Sequence, residues 1–244
     1  MENLTVFADP GALAEGAAAL IVDLARAAVA DRGRFTLALA GGGTPGPVHA
    51  RLASPVHAGR MPWDQVQVFF GDERCVPPDD ERSNYRLARQ TLLDKVPLPV
   101  ANIHRIAGED VPAAAARAYE QDLRRTFGSA ATPAFDLVCL GMGADGHTAS
   151  LFPGMAALHE PSRWVVSQCV PASAAWRETM TQVLLNAARD VFIQVTGAAK
   201  AATLARVLDG PSQPDLLPAQ LVRPSNGRVR WLVDAAAADG MTDR

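Results

Sequence analysis

The sequence predicts an α/β fold: one domain, residues 1–244, with a mostly parallel sheet and helices on both faces. Three observations carry that prediction. Short apolar runs alternate with longer amphipathic ones along the chain, the pattern of repeated strand–helix units. The apolar runs, such as FTLALA at 35–40 and VQVFF at 66–70, are nearly continuous, as strands buried on both faces are. The 244 residues are 48% hydrophobic and 20% charged, enough apolar chain for a full core, and no linker divides them.

Taken in order, residues 4–7 read as an edge strand. Residues 10–31 are Ala-rich, with Leu13, Leu20, Ile21, Leu24 and Val29 at helical spacing, and Gly33 ends that helix. Strand 35–40 is broken by three glycines. A helix then runs over 45–52, with Pro45 suited to its first turn. Strand 66–70 stops at Gly71. After a polar loop through Pro77 and Pro78, Ser83 is placed to cap a helix that ends near Lys95. Residues 102–106 are expected to form a short strand and 112–127 a helix. Strand 135–140 (FDLVCL) runs straight into GMGADGH. Residues 164–168 look extended, 191–195 is a strand, 198–208 a helix and 209–218 a Pro-rich connection. Strand 230–233 and a short helix at 235–238 close the chain. The order of elements makes the sheet Rossmann-like.

Composition excludes several classes. A net charge of −3 with scattered Lys and Arg lacks the basic face of a nucleic-acid binder; the Arg124-Arg125 pair reads as solvated helix. Cys75, Cys139 and Cys169 are odd in number and widely spaced, with no C-x-x-C, so neither a disulfide framework nor a zinc site is expected. His49, His57, His104 and His159 lack ligand spacing. There is no membrane-length apolar stretch and no secretory pattern at the N-terminus, so a cytoplasmic setting is expected.

Three strand ends carry polar chemistry, and ligands of open parallel sheets sit beyond the carboxyl ends of strands. The first is Gly41-Gly42-Gly43-Thr44, leading into a helix. Bare backbone amides and a helix N-terminus suit a phosphate, though a tight turn alone needs the same residues. The second is Gly71-Asp72-Glu73-Arg74. Arg74 suits an oxyanion or phosphate and Asp72 a water or sugar hydroxyl; a surface ion-pair cluster is the plain alternative. The third is GMGADGH at 141–147, where Asp145 and His147 follow a strand end among three glycines. Histidine titrates near neutral pH and suits proton transfer. Arg177 in WRETMT and Lys200 in GAAK are further cations, either phosphate ligands or solvated side chains.

Together these segments resemble the family of 6-phosphogluconolactonases and glucosamine-6-phosphate deaminases. The resemblance runs through LALAGGGTP, VFFGDERCVPPDDERSNYRLARQTLL, FDLVCLGMGADGHTASLFPG, WRETMT, GAAK and LPAQLV in the family's order, over nearly the whole chain. In the deaminase branch a glutamate, within N-E-P, occupies the position of Phe152, and D-E-Y stands where this chain has Asp72-Glu73-Arg74; both differences point to the lactonase branch. Glu178 departs from the pattern, which usually carries an apolar residue there. The resemblance implies hydrolysis of 6-phospho-D-glucono-1,5-lactone in the oxidative pentose phosphate pathway. His147 is the implied base, with Asp145, Arg74 and Asp72 beside it. Gly42, Gly43, Thr44, Arg177 and Lys200 would bind the phosphate. It implies no metal or organic cofactor, and a monomer or small homo-oligomer. A non-catalytic sugar-phosphate sensor is the alternative of another class.

Overall fold

The computed structural model describes residues 3–128, 133–171, 174–239 and 241. Six parallel strands form the central sheet: β1 (Leu4–Phe7), β2 (Phe35–Leu39), β3 (Val66–Phe70), β5 (Leu137–Gly141), β8 (Asp190–Val195) and β9 (Arg228–Asp234), in spatial order β1-β9-β8-β5-β2-β3. A second, antiparallel sheet joins β4 (Asp72–Arg74), β7 (Ala175–Met180) and β6 (Val165–Val170). The predicted mostly parallel sheet is therefore present, with β1 at its edge.

Local chemistry sets the helix ends. Helix α1 (Pro10–Arg32) begins where the Asp9 carboxylate accepts from the Ala12 amide at 2.8 Å. It ends at Gly33, whose φ of +72° is the left-handed conformation glycine adopts freely. Its small buried stripe of Leu13, Ala17, Ile21, Ala25 and Ala28 lets it lie close against β2, β9 and helix α2 (Pro45–Leu52). Helix α3 (Pro55–Ala58) follows as one turn. Helix α5 (Pro112–Phe127) packs on β6 and β7, and its Tyr119 hydroxyl binds both backbone groups of Phe70 at the end of β3. Short helices α6 (Gln182–Leu185) and α8 (Ala235–Ala238) flank α7 (Ala201–Asp209) in sequence. Phe35, Phe69, Phe70, Phe135 and Phe192 are fully buried in the core. Each such ring is worth on the order of 2–3 kcal/mol of burial.

The amino ends of the strands are fastened by buried carboxylates. Asp136 accepts from the Thr36 amide at 2.8 Å and from Arg32, and Asp190 holds Arg228 and Arg230. Arg124, read as solvated, lies over the Trp164 ring at 3.9 Å and pairs with Glu120, so its charge is only partly free.

Two segments differ from expectation. Residues 102–106 form no strand. A 3-10 turn at Val100–Asn102 is followed by a single bridge from Ile103 to Val68, because the Asn102 side chain binds the Asp64 and Val66 carbonyls and stops a ladder from growing. Asp72–Arg74, read as a strand-end loop, is itself strand β4. Gly71 carries the chain from the large sheet to the small one: its amide donates to Leu39 and its carbonyl accepts from Met180. Two boundaries also move. Helix α4 (Asn84–Thr91) hands over to a separate 3-10 turn at Leu93–Lys95, and a 3-10 turn at Ala198–Lys200 precedes α7.

Candidate active site

Strand order places the site. From β2 the chain steps to β3 on one side, whereas β5, β8 and β9 are laid on the other. The carboxyl ends of neighbouring β2 and β5 therefore flank a topological switch point, where ligands of such sheets bind. The β2 loop is Gly41–Thr44 and the β5 loop is GMGADGH. Between them lies a cavity of about 230 Å³. Its wall includes Gly42, Gly43, Thr44, Asp72, Arg74, His147, Arg177 and Lys200. Eight of the nine predicted site residues line it, and the ninth, Asp145, is joined to it through His147.

The His–Asp pair is built by a tight turn. Gly143 donates to the His147 carbonyl at 2.9 Å, Gly146 donates to Gly143 at 3.0 Å, and Gly146 has a φ of +82°. His147 Nδ1 then lies 2.6 Å from Asp145 Oδ1, which also accepts from the His147 amide at 3.1 Å. A carboxylate acceptor puts the neutral ring's proton on Nδ1 and leaves the lone pair on Nε2, the form a general base requires. Gly143 has no room for a side chain: a Cβ there would meet His147 Nδ1 at 2.2 Å and Asp145 Oδ1 at 2.6 Å.

The small sheet supplies the other wall. Arg74 and Arg177 are opposite one another in the β4–β7 register, so two guanidinium-bearing strands face the same cavity. Burial lowers the Arg177 pKa, and the neighbouring Arg74 charge lowers it further. Burial also lowers that of Lys200, partly offset by Asp234. Nε of Arg74 and Nε of Arg177 are buried without a hydrogen-bond partner among the described residues. Crowded, part-desolvated cations with unspent donors form a site suited to an anion. Gly42, with φ of +101°, and Thr44, at the start of α2, present backbone on the opposite side. The Thr44 hydroxyl is 2.7 Å from that of Thr196.

Asp72 and Glu73 separate in role. Asp72 lines the cavity and is held by Asn84 Nδ2 at 3.0 Å and Ser150 Oγ at 2.6 Å. Glu73 turns away. Its carboxylate accepts from Ser83 Oγ and from the amides of Arg74, Asn84 and Tyr85, closing the N-terminus of α4 where Ser83 caps Arg86. Sequence reasoning missed Asn84 and Ser150 as supports of Asp72. Asn84 stood beside Ser83 in the second family-like segment but without a role, and Ser150 was marked only by its place three residues past His147.

The profile of the family described as glucosamine-6-phosphate isomerases/6-phosphogluconolactonase matches residues 8–231. The chain belongs to this family. Among members, a 6-phosphogluconolactonase of Nostoc sp. is 42% identical over 240 residues, 97% of each chain. The solved 6-phosphogluconolactonase of Trypanosoma cruzi is 28% identical, covers 99% of this chain and 97% of its own, and superposes with a TM-score of 0.87. A monomeric glucosamine-6-phosphate deaminase superposes with a TM-score of 0.79 at 20% identity, covering 97% and 98% of the two chains, which shows a shared fold only. Phe152 lies on the His147 ring, centroids 4.2 Å apart.

Proposed function

We propose that this protein hydrolyses 6-phospho-D-glucono-1,5-lactone to 6-phospho-D-gluconate. One observation carries the reading: His147, paired with Asp145, shares a small cavity with a glycine loop and three cations. Proton-transfer chemistry at one end and anion binding at the other match a substrate with a reactive carbonyl and a remote phosphate. The lactonases among the relatives, aligned end to end, support the same substrate.

In this reading His147 Nε2 accepts a proton as water adds to the lactone carbonyl. The tetrahedral oxyanion is stabilised by Arg74 and glycine-loop amides. Collapse breaks the bond to the ring oxygen, which takes the proton back from His147, so water is consumed and one carboxylic acid is produced. Asp145 holds the ring and balances the imidazolium. Asp72 orients the attacking water or a sugar hydroxyl. Gly42, Gly43, Thr44, Arg177 and Lys200 bind the phosphate, so its binding energy aligns the carbonyl. With this reading go a single domain, a monomer or small homo-oligomer, a cytoplasmic location, and no nucleic-acid or membrane partner. Among the described residues no helix is long and apolar enough to cross a membrane.

The test is a paired assay. Fresh lactone is supplied and acid release followed above the spontaneous rate, and glucosamine 6-phosphate is supplied and ammonia measured. Acid release without ammonia is expected. Ammonia without lactone hydrolysis overturns the reading.

A further inference from the structure

A hydrogen bond at Nδ1 fixes the direction of one His147 atom but leaves the imidazole free to pivot about that bond. The second rotor of histidine is broad and roughly two-fold, so the ring plane needs another constraint. The structure provides it five residues downstream, at Phe152. Thr148 Oγ1 donates to the Gly141 carbonyl at 2.8 Å, and Leu151 N donates back to Thr148 at 2.9 Å. Between them Ala149 has a φ of +47°, a left-handed conformation costly for a residue with a Cβ. Ser150 is fully buried, with its hydroxyl on Asp72 and its amide on Thr179 Oγ1 at 3.2 Å. This anchored, strained turn folds the chain back, so that the Phe152 ring stacks on His147 with planes 30° apart. The Arg177 guanidinium carbon lies 5.9 Å from the centre of the same ring.

We propose that Phe152 is a positioning residue for lactone hydrolysis: its ring, held by the 148–151 turn, sets the plane of the His147 imidazole and so aims Nε2 into the cavity. The inference rests on the function proposed above. Asp145 and Phe152 then act at right angles, one in the plane of the imidazole and one on its face.

The test uses Phe152→Leu, which keeps apolar bulk and loses the flat face, and Phe152→Tyr, which keeps the face. Phe152→Leu is expected to lower kcat by about 10- to 100-fold, the scale of a misaligned base, with KM little changed. Phe152→Tyr is expected to retain most of the wild-type kcat. In a His147→Gln background Phe152→Leu should cost nothing further, since the group it positions is gone. Independently of turnover, the His147 ring protons should lose the ring-current shift of a stacked aromatic in Phe152→Leu and keep it in Phe152→Tyr. Full kcat in Phe152→Leu, an effect confined to KM, or an undiminished loss in the His147→Gln background would overturn the proposal. Failure of the function itself would show as absent lactone hydrolysis in the wild type with the ring-current signature intact.

Discussion

At the scale of single residues, the proposed reaction divides the site into groups that move protons and groups that hold charge. Lys200 belongs to the second kind. Its burial lowers its pKa, so an unoccupied cavity leaves it poorly solvated and an anion relieves that cost. Lys200→Met should therefore raise KM with little change in kcat. The expected loss in kcat/KM is about 30-fold, the factor for one charge-assisted hydrogen bond of about 2 kcal/mol. Steady-state kinetics on the lactone checks this, and a variant that loses kcat at unchanged KM would place Lys200 at the reacting carbonyl instead. Asp145→Asn should do the reverse. An amide facing Nδ1 no longer requires the proton there, so kcat should fall by about 100-fold or more while KM holds. Equal kcat in a folded Asp145→Asn protein would remove the orienting role.

Much of this was legible from residue types. Arg74, Asp145 and His147 stand out because each follows closely on the end of a buried strand, whereas Arg177 and Lys200 were readable only as isolated cations in WRETMT and GAAK. Glu73 was not separable from Asp72 by the same logic. Its role depends on four donors converging from Ser83, Asn84, Tyr85 and its own neighbour Arg74, which only the return of the chain at α4 brings together.

At the scale of elements, the glycines of the β5 loop are spacers for the His–Asp pair. Gly143→Ala places a methyl where His147 Nδ1 and Asp145 Oδ1 already meet. The pair must open. Activity should fall by about 100-fold or more, as for loss of a general base, while the denaturant midpoint moves little because the loop lies at the surface. A Gly143→Ala enzyme with full activity would contradict the close packing described here. The central strands were readable because they are apolar throughout. Strands β4 and β7 were not: DER is too short and charged to show a period, and AWRETM mixes cavity-facing Arg177 with inward Glu178. Their pairing is a long-range event that places Arg74 opposite Arg177, which no local pattern encodes.

At the scale of the whole molecule, two buried titratable groups pull stability in opposite directions with pH. Glu178 is fully buried; Cys75 Sγ donates to its Oε1 at 2.9 Å, and Oε2 has no partner among the described residues. Burial raises its pKa from 4.5 to about 7. The folded state therefore binds this proton more tightly than the unfolded chain. Its contribution is full below about pH 4.5 and lost as pH rises through about 7. His49 is the mirror case. Burial lowers its pKa from 6.5 to about 4, so its contribution is present above about pH 6.5 and lost as pH falls through about 4. Over the shared window the two slopes offset. Glu178→Gln removes one of them. The variant should be more stable than wild type at pH 8 by about 1–2 kcal/mol, and that gain should vanish near pH 4.5. Urea unfolding at the two pH values decides the matter; a variant less stable than wild type at pH 8 would mean that the carboxylate is stabilising where it lies.

The same molecular scale bears on where the proposed site lies. Buried Asp136 and Asp190 bind arginines at the amino ends of the sheet, while the carboxyl ends around the β2–β5 switch point are left to glycine loops and unspent cations. The proposed function makes His147, at that switch point, the base for lactone hydrolysis. It is tested most directly by following acid release from fresh 6-phosphogluconolactone with the wild-type protein and a folded His147→Ala variant. The wild type should accelerate release above the spontaneous rate, and the variant should lose about 10²–10⁴-fold of that activity. Near-wild-type turnover by folded His147→Ala would contradict it.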